Sequence, residues 1–480
     1  MTNQIYPVPS GDDTPSQGFS NVGKPSPDHG AMSGLSSNGK DLVSANADQL
    51  DRPGAWKKGA LHTHSFRSDG EGFPEEVVLA YRTRGYDFVC LTDHNDRGDD
   101  DAHWLSVLKP EQGPFAGGLP FVGGCSYLSA VERYRQVMNG DIETKRHSNY
   151  DYVRVRNASE ISNRFDIPGD FLTIAGVELS HWQQSADGSR RQLHMNVINL
   201  ERELPLQQEA TLDATLKANF TSASAQHSRQ AEGGIFICNH PHGYWYDIPP
   251  SLLIENWEIQ HFELKNSNVD GVGGPESLGQ ELPYDNEKFW DVVNAFRLAE
   301  GHPPLWAAAS DDAHFYDEQR IDTRTGVGHS WVMVRVPGLF TRQALVEAMN
   351  RGDYYPTTGV EFADIDYSGS CLSVRVKSVP GVRYRIVFKG VRRDFSRSIG
   401  YLSGWESPGG RHRRDLELYD DGIGCVFAET SGIEGSYRLH SDELFVRAVV
   451  ISDRLSSCRS SRYGVYESAF SQPLINTKVL

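Results

Sequence analysis

Short apolar runs recur along the chain, and each ends on polar residues of the same few kinds. Ala60-Leu61 ends in His62-Thr63-His64, and Tyr86-Asp87-Phe88-Val89-Cys90-Leu91 ends in Thr92-Asp93-His94-Asn95. The run from Phe171 to Val177 ends in Glu178, Gly234 to Cys238 ends in Asn239-His240-Pro241-His242, and Leu305 to Ser310 ends in Asp311-Asp312-Ala313-His314. Apolar runs of this length bounded by turn residues predict buried strands. Residues 193–198, 257–264 and 330–334 read as further strands. Between them, Pro74-Glu75-Glu76 predicts a helix start, with proline at the first position, acids in the first turn and Gly85 as its stop. Helices are also expected in parts of 206–229, over 287–300, and over 341–351, where Leu345 and Met349 share a face and Gly352 caps. The first strand, helix and second strand make a β-α-β unit, an arrangement that leaves loops at one end of a parallel sheet.

The pattern changes at three places. Residues 1–54 are dense in Ser, Gly, Pro, Asp and Asn, cannot bury enough apolar surface to offset ordering, and read as a disordered arm. The stretch at about 96–165 is irregular, with a helix near 127–137, and reads as an insertion over the loop face. After Gly359 short β-type runs separated by turns predict a small all-β sandwich over 361–480.

Composition narrows the function classes. The chain has 480 residues, enough to bury a core without metal or disulfide staples, so metal ligands would serve function. Its 47 basic and 64 acidic residues give a net charge of -17, which argues against nucleic acid as a partner. Six cysteines stand without C-x-x-C spacing, consistent with reduced thiols. There is no secretory pattern at Met1-Thr2-Asn3-Gln4-Ile5 and no membrane-length apolar run, so a soluble cytoplasmic protein is expected. Gly34 to Lys40 fits phosphate-loop spacing, but Asp41 replaces the hydroxyl residue and no strand precedes it. Gly271 to Glu276 fails the dinucleotide pattern, and no G-x-S-x-G elbow occurs.

What remains is the set His62, His64, Asp69, His94, Glu178, His194, His240, Asp312 and His314. Two histidines one residue apart on a strand point the same way and can chelate one ion. Imidazole with carboxylate and no thiolate suits zinc, manganese or iron, and more than four such ligands imply two or three divalent ions. Such a centre generates metal-bound hydroxide near neutrality and polarises a substrate oxygen.

The order His-x-His, Ser68-Asp69-Gly70, Thr92-Asp93-His94-Asn95, Gly176-Val177-Glu178, His194, Asn239-His240-Pro241 and Ser310-Asp311-Asp312-Ala313-His314 resembles the PHP (polymerase and histidinol phosphatase) superfamily. Gly352 to Gly359 and the trailing β region look like its carbaryl-hydrolase branch, CehA/McbA-like. The resemblance implies a distorted (β/α)7 barrel with up to three ions at the strand ends. By motif, His62, His64, Glu178 and Asp312 would hold the first ion. Glu178 would bridge to a second, held also by His194 and His240. Asp69, which stands where many relatives have histidine, would hold a third with His94 and His314.

Glu178 and Asp312 are the expected catalytic carboxylates, and His242 is a candidate general acid or substrate contact. Asp93 reads as a partner that orients a ligand, Asp311 as a competitor to Asp312, His181 as a competitor to His194, and Lys265 as a solvated lysine. The leading reading is a metal-dependent phosphoesterase acting on a small-molecule mono- or diester. Hydrolysis of a carbamate, carboxylic ester or amide is the alternative within the same chemistry. A binding protein built on a relic barrel is the alternative outside it.

Overall fold

The computed structural model describes residues 54–108, 125–184, 188–242, 246–269, 284–317, 325–406, 413–457 and 466–477. The N-terminal arm up to residue 53, the phosphate-loop match at 34–40 and the glycine-rich stretch at 271–276 lie outside them.

Seven strands carry the candidate ligands or follow them in space: β1 (Ala55–Ala60), β2 (Phe88–Leu91), β3 (Leu172–Gln184), β4 (Arg190–Ile198), β5 (Ile235–Cys238), β6 (His261–Asn266) and β7 (Trp306–Ser310). They are neighbours in chain order, β1 to β7, within one larger sheet. The pairs β1–β2, β2–β3, β5–β6 and β6–β7 are parallel. β4 is antiparallel to both β3 and β5. It follows β3 after only a few residues, too short for the crossover a parallel strand needs, so the strand–helix alternation breaks here.

The expected (β/α)7 barrel is therefore corrected in two respects. One strand runs against the others, and among the described residues no ladder closes the ring. Along Ala55–Gly59 the free edge of β1 is occupied by β8 (Trp331–Val336), which pairs antiparallel. β7 reaches β1 only past its end, at an isolated bridge between Thr63 and Ala313. The sequence run expected as a strand from residue 257 also starts later, at His261, after a turn.

Helices α1 (Pro74–Arg82), α2 (Leu128–Val137), α3 (Ala158–Phe165), α4 (Leu212–His227), α5 (Pro250–Glu255), α6 (Asn286–Ala299) and α7 (Arg342–Asn350) accompany the sheet. Alternation along the strands separates two faces. Val89 and Leu91 of β2 pack outward with Val77, Val78 and Tyr81 of α1. Phe88 and Cys90 turn to the opposite face, where Leu172, Ile174, Ile198, Ile235, Ile237, Trp306 and Ala308 meet Leu345, Val346 and Met349 of α7 in an apolar floor. Burial of such side chains is worth roughly 1.5–3 kcal/mol each, an upper-end figure for the hydrophobic term.

The sheet continues from β8 into β9 (Tyr354–Thr357). Beyond Gly359 come β10 (Phe362–Asp366), β11 (Cys371–Val376), β12 (Tyr384–Arg392), β13 (Cys425–Ser431), β14 (Glu434–Arg438), β15 (Glu443–Leu455) and β16 (Tyr466–Phe470). β16, β15, β12 and β13 extend the large sheet, β9 meeting β16 at Thr357–Ala469. β10, β11 and β14 form a second sheet. Between the two lie Ile365, Leu372, Val374, Ile386, Phe388, Ala448 and Val450. A hairpin of strands Gly400–Glu406 and Arg413–Leu418 stands apart from both. Among the described residues no helix is long and apolar enough to cross a membrane.

Candidate metal centre

The inward face of the sheet changes from apolar to ligand-bearing as the strands run upward. On β3 the alternation places Ile174 in the floor and Glu178 two turns of the pleat above it; on β4, antiparallel, Ile198 is in the floor and His194 above. The exits beyond β1, β2 and β7 stay in register through backbone bonds. His64 N–H donates to Ala313 O at 3.0 Å, Thr92 N–H to Thr63 O at 3.1 Å, and Glu178 N–H to Asp93 O at 3.0 Å. Three non-glycine residues at the exits of β2, β5 and β7 have left-handed backbone: Asn95 (φ 52°), His240 (φ 24°) and Asp312 (φ 50°). Such conformations cost about 1–3 kcal/mol each and persist where the surroundings impose them. Asp69 is placed by the turn Ser65–Gly70, where a Cβ on Gly70 would lie 2.3 Å from His64 O, so only glycine fits.

All nine ligand candidates converge. His62, His64, Glu178, His194, His240 and Asp312 are buried; Asp69, His94 and His314 are half-buried. Glu178 is the hub. Its Oε1 lies 3.2 Å from His62 Nε2, 3.0 Å from His194 Nδ1 and 3.5 Å from His240 Nε2; its Oε2 lies 2.7 Å from His94 Nδ1 and 3.5 Å from His64 Nε2. Asp312 Oδ1 lies 2.9 Å from His64 Nε2 and 3.4 Å from His62 Nε2. Asp69 Oδ1 lies 3.5 Å from both His64 Nδ1 and His94 Nε2, and 3.4 Å from His314 Nε2. Three overlapping groups have ligand atoms all within 4.8 Å of one another: His64, Asp69, His94 and His314; His62, His64 and Glu178; His94, Glu178 and His194.

The donor set fits cations. Asp69 Oδ1, Glu178 Oε2 and Asp312 Oδ1 are buried oxygens that make no hydrogen bond, and each faces imidazole nitrogens. An unsatisfied buried acceptor costs about 1–3 kcal/mol, more when charged, and a metal ion would satisfy all three.

Around this set a further layer fixes ring orientation. Glu263, which sequence reasoning passed over, accepts a hydrogen bond from His62 Nδ1 at 2.9 Å, leaving Nε2 free to ligate. The same carboxylate accepts from the His240 backbone N–H at 3.0 Å, from Asn266 Nδ2 at 2.9 Å and from Ser310 Oγ. Its signal in the sequence was a glutamate flanked by Phe262 and Leu264 on a buried strand, two residues from His261 on the same face. His314 Nδ1 donates to Asp312 O at 2.8 Å, turning Nε2 toward Asp69. Asn239 Nδ2 donates to Glu178 Oε1 at 2.8 Å, and Asn266 and Asn268 donate to Asp312 Oδ2, each at 3.3 Å. Gln192 Nε2 is placed 2.8 Å from His194 Nε2 while its own buried Oε1 has no partner.

Electrostatics prepare the carboxylates as ligands. Burial raises Glu178, Asp312 and Asp69, but the facing imidazoles outweigh it and hold all three well below the ordinary carboxylate range. Burial, with His314 and His94 nearby, pulls His64 down to about 4, and burial also lowers His194. For His62, His94, His240 and His314 the carboxylates overcome burial and raise the ring. Protons on these four rings occupy the role that cations would fill.

Several neighbours are placed elsewhere. Both ring nitrogens of His242 are buried without a hydrogen-bond partner, among the rings of Tyr246, Tyr284 and Phe289 at 4.9, 5.2 and 4.7 Å. Burial pulls its pKa to about 3, so at neutral pH the ring carries no extra proton to donate, and the general-acid role is not supported. Asp93 holds the Ser65–Ser68 turn, accepting from Ser65 N–H, Ser65 Oγ and Ser68 Oγ at 2.6, 2.7 and 2.6 Å. Asp311 turns away and accepts from Tyr81 OH and the N–H groups of Gly328, His329 and Ser330. His181 pairs in register with Leu193, whose side chain is in the outer core, so it lies on the face opposite Glu178. Lys265 is buried rather than solvated, its ammonium 5.7 Å from the Phe470 ring.

No family model matches the sequence, and no curated protein does. Among solved structures, a two-domain protein from Bacteroides vulgatus containing a predicted PHP-like metal-dependent phosphoesterase aligns at TM-score 0.35 and 14% identity, covering 89% of this chain and 98% of that one. An amidohydrolase from Chromobacterium violaceum with bound sulfate aligns at TM-score 0.26 and 14% identity, covering 54% and 87%. Overlaps this loose assign neither fold nor activity.

Proposed function

We propose that this chain is a polynuclear metal-dependent hydrolase acting on small phosphate esters. The observation that carries the reading is Glu178, whose two buried oxygens face five imidazoles from three strand exits and the body of β4, as a carboxylate shared between ions would. With the imidazoles neutral, as ligands must be, Asp69, Glu178, Glu263 and Asp312 bring four negative charges to one buried volume. Two divalent ions balance them, and a third leaves an excess of positive charge that suits an anionic phosphate better than a neutral carbamate or carboxylic ester. The ions would be held by His62, His64, Glu178 and Asp312, by Glu178 with His194 and His240, and by Asp69 with His94 and His314. When bound they supply activation of water and neutralisation of charge developing on the substrate oxygens.

The protein's own groups do the remaining work. Glu263 and the Asp312 carbonyl fix the tautomers of His62 and His314, and Asn239, Asn266 and Asn268 hold the carboxylates in place by donating to them. The test is turnover of p-nitrophenyl phosphate and bis(p-nitrophenyl) phosphate by the full chain loaded with manganese or zinc, beside an aryl carbamate. Metal-dependent turnover of a phosphate ester is expected; turnover of the carbamate alone would overturn the phosphoester reading.

A further inference from the structure

The C-terminal hairpin is not a remote ornament. Arg414, on its second strand, is about 1% exposed and donates from Nη2 to Asp247 Oδ1 at 2.6 Å and to the Arg190 carbonyl at 3.1 Å. Asp247 is itself buried and accepts from the backbone N–H of Gln192. Arg190 and Gln192 belong to β4, and the Gln192 side chain lies against His194. Asp247 lies a few residues beyond His240, and Ile248 N–H donates to Pro241 O at 3.1 Å, which ties the residue after the ligand to the far side of its loop. Arg191 donates to the carbonyls of Tyr246 and Asp247 at 3.5 and 3.3 Å. The hairpin adds Trp405, edge-on to Tyr246 at 5.4 Å, and Glu417, which accepts from Ser251 N–H at 3.1 Å and from Ser251 Oγ.

One guanidinium–carboxylate pair thus joins three things: the β4 segment carrying His194, the exit carrying His240, and a hairpin contributed from more than 150 residues downstream. We infer that the Arg414–Asp247 pair is a positioning device that holds His194 and His240 at the separation needed to share an ion with Glu178. The C-terminal region is thereby part of the metal centre's construction. This rests on the metal-centre reading above. His62, His64 and Asp312 are held without the pair, by the Thr63–Ala313 bridge and, for the His62 ring, by Glu263, whose other oxygen accepts from the His240 backbone N–H. Loss of the pair should therefore weaken one part of the centre and spare another.

The experiment uses the full chain as wild type, Arg414→Ala, Arg414→Lys and Asp247→Asn, with Tyr401→Ala on the exposed face of the same hairpin as control. Each is loaded with zinc or manganese, dialysed, and measured for ions per chain, for stepwise metal dissociation constants by chelator competition, and for the metal-free Tm. The expected result is a loss of one ion per chain or a weakening of one binding step by about 10–100-fold in Arg414→Ala and Asp247→Asn. Arg414→Lys should recover part of it, and Tyr401→Ala should match wild type. Asp247→Asn keeps the side-chain volume and serves if Arg414→Ala does not fold. Wild-type stoichiometry and affinity in folded Asp247→Asn, or a uniform weakening of every step that tracks Tm, would overturn the positioning role. A wild-type chain that takes up no transition metal would overturn the metal-centre reading itself, and this inference with it.

Discussion

Two groups of buried carboxylates lie in this molecule and are answered in different ways. In one, Arg447 of β15 reaches Asp291 of α6 with Nε to Oδ1 and Nη2 to Oδ2, each at 2.7 Å, and Glu287 with Nη2 to Oε2 at 2.9 Å; Lys389 Nζ adds a contact to Glu287 at 3.0 Å. Two anions meet two cations held in the fold. In the other, the centre around Glu178, the described partners of the carboxylates are imidazoles and amides, and three carboxylate oxygens are left without a hydrogen bond. A permanent guanidinium and an ammonium balance the charge of the first group on folding, although Glu287 Oε1 is likewise left without a hydrogen bond. A ring that must be neutral to ligate leaves the second short of positive charge, and that shortage is what a binding site for cations looks like in a folded chain.

The comparison breaks most sharply at its hub. Glu178→Ala should abolish metal-dependent turnover and remove at least one ion per chain, seen by elemental analysis. Full metal content in that variant would dissolve the distinction. Arg447→Ala should do the opposite: about 3–5 kcal/mol of stability lost in urea titration, with ions per chain unchanged. Acid should find the closed group through Glu287. Burial raises this carboxyl, but Lys389 and Arg447 outweigh it and bring it down to about 2. Since the folded value is depressed, its stabilisation is fully present above the ordinary glutamate range near 4.3 and is lost as pH falls toward 2, at most about 3 kcal/mol. Comparing the pH slope of Tm for metal-free wild type and Glu287→Gln isolates it; equal slopes would count against the pair. The smallest effect is expected for Glu263→Gln, which keeps an acceptor for His62 but removes the charge. It should weaken metal binding by about 10–100-fold with little change in Tm, and an unchanged dissociation constant would show that the carboxylate does not tune the ligand.

Much of the centre could be read from residue order, because a ligand at the end of an apolar run is local information. His62, His64, His94, Glu178, His240, Asp312 and His314 each sit at such an end, and the structure brings them together with Asp69 and His194. What could not be read depends on pairings between distant segments. That β8 occupies the edge of β1, and so leaves β7 a single bridge, is decided by residues about 275 positions apart in register. Reversal of β4 follows from a short connection, yet parallel and antiparallel strands have the same period-two pattern. Glu263, Arg414 and Arg447 could not be read for a related reason: a charged residue on a strand has no meaning until its partner is known, and their partners lie on distant segments.

The bridge between Thr63 and Ala313 also sets an order of events during synthesis. His62 and His64 leave the ribosome long before Asp312 and His314, and Tyr316 OH reaches back to His64 O at 2.8 Å across 252 positions. The nascent chain carries half a chelator until the last ligand strand docks, and contacts so distant in sequence form slowly. Ion capture at full coordination is therefore a late step, and growing the protein with scarce metal should yield a folded, metal-poor population rather than an unfolded one.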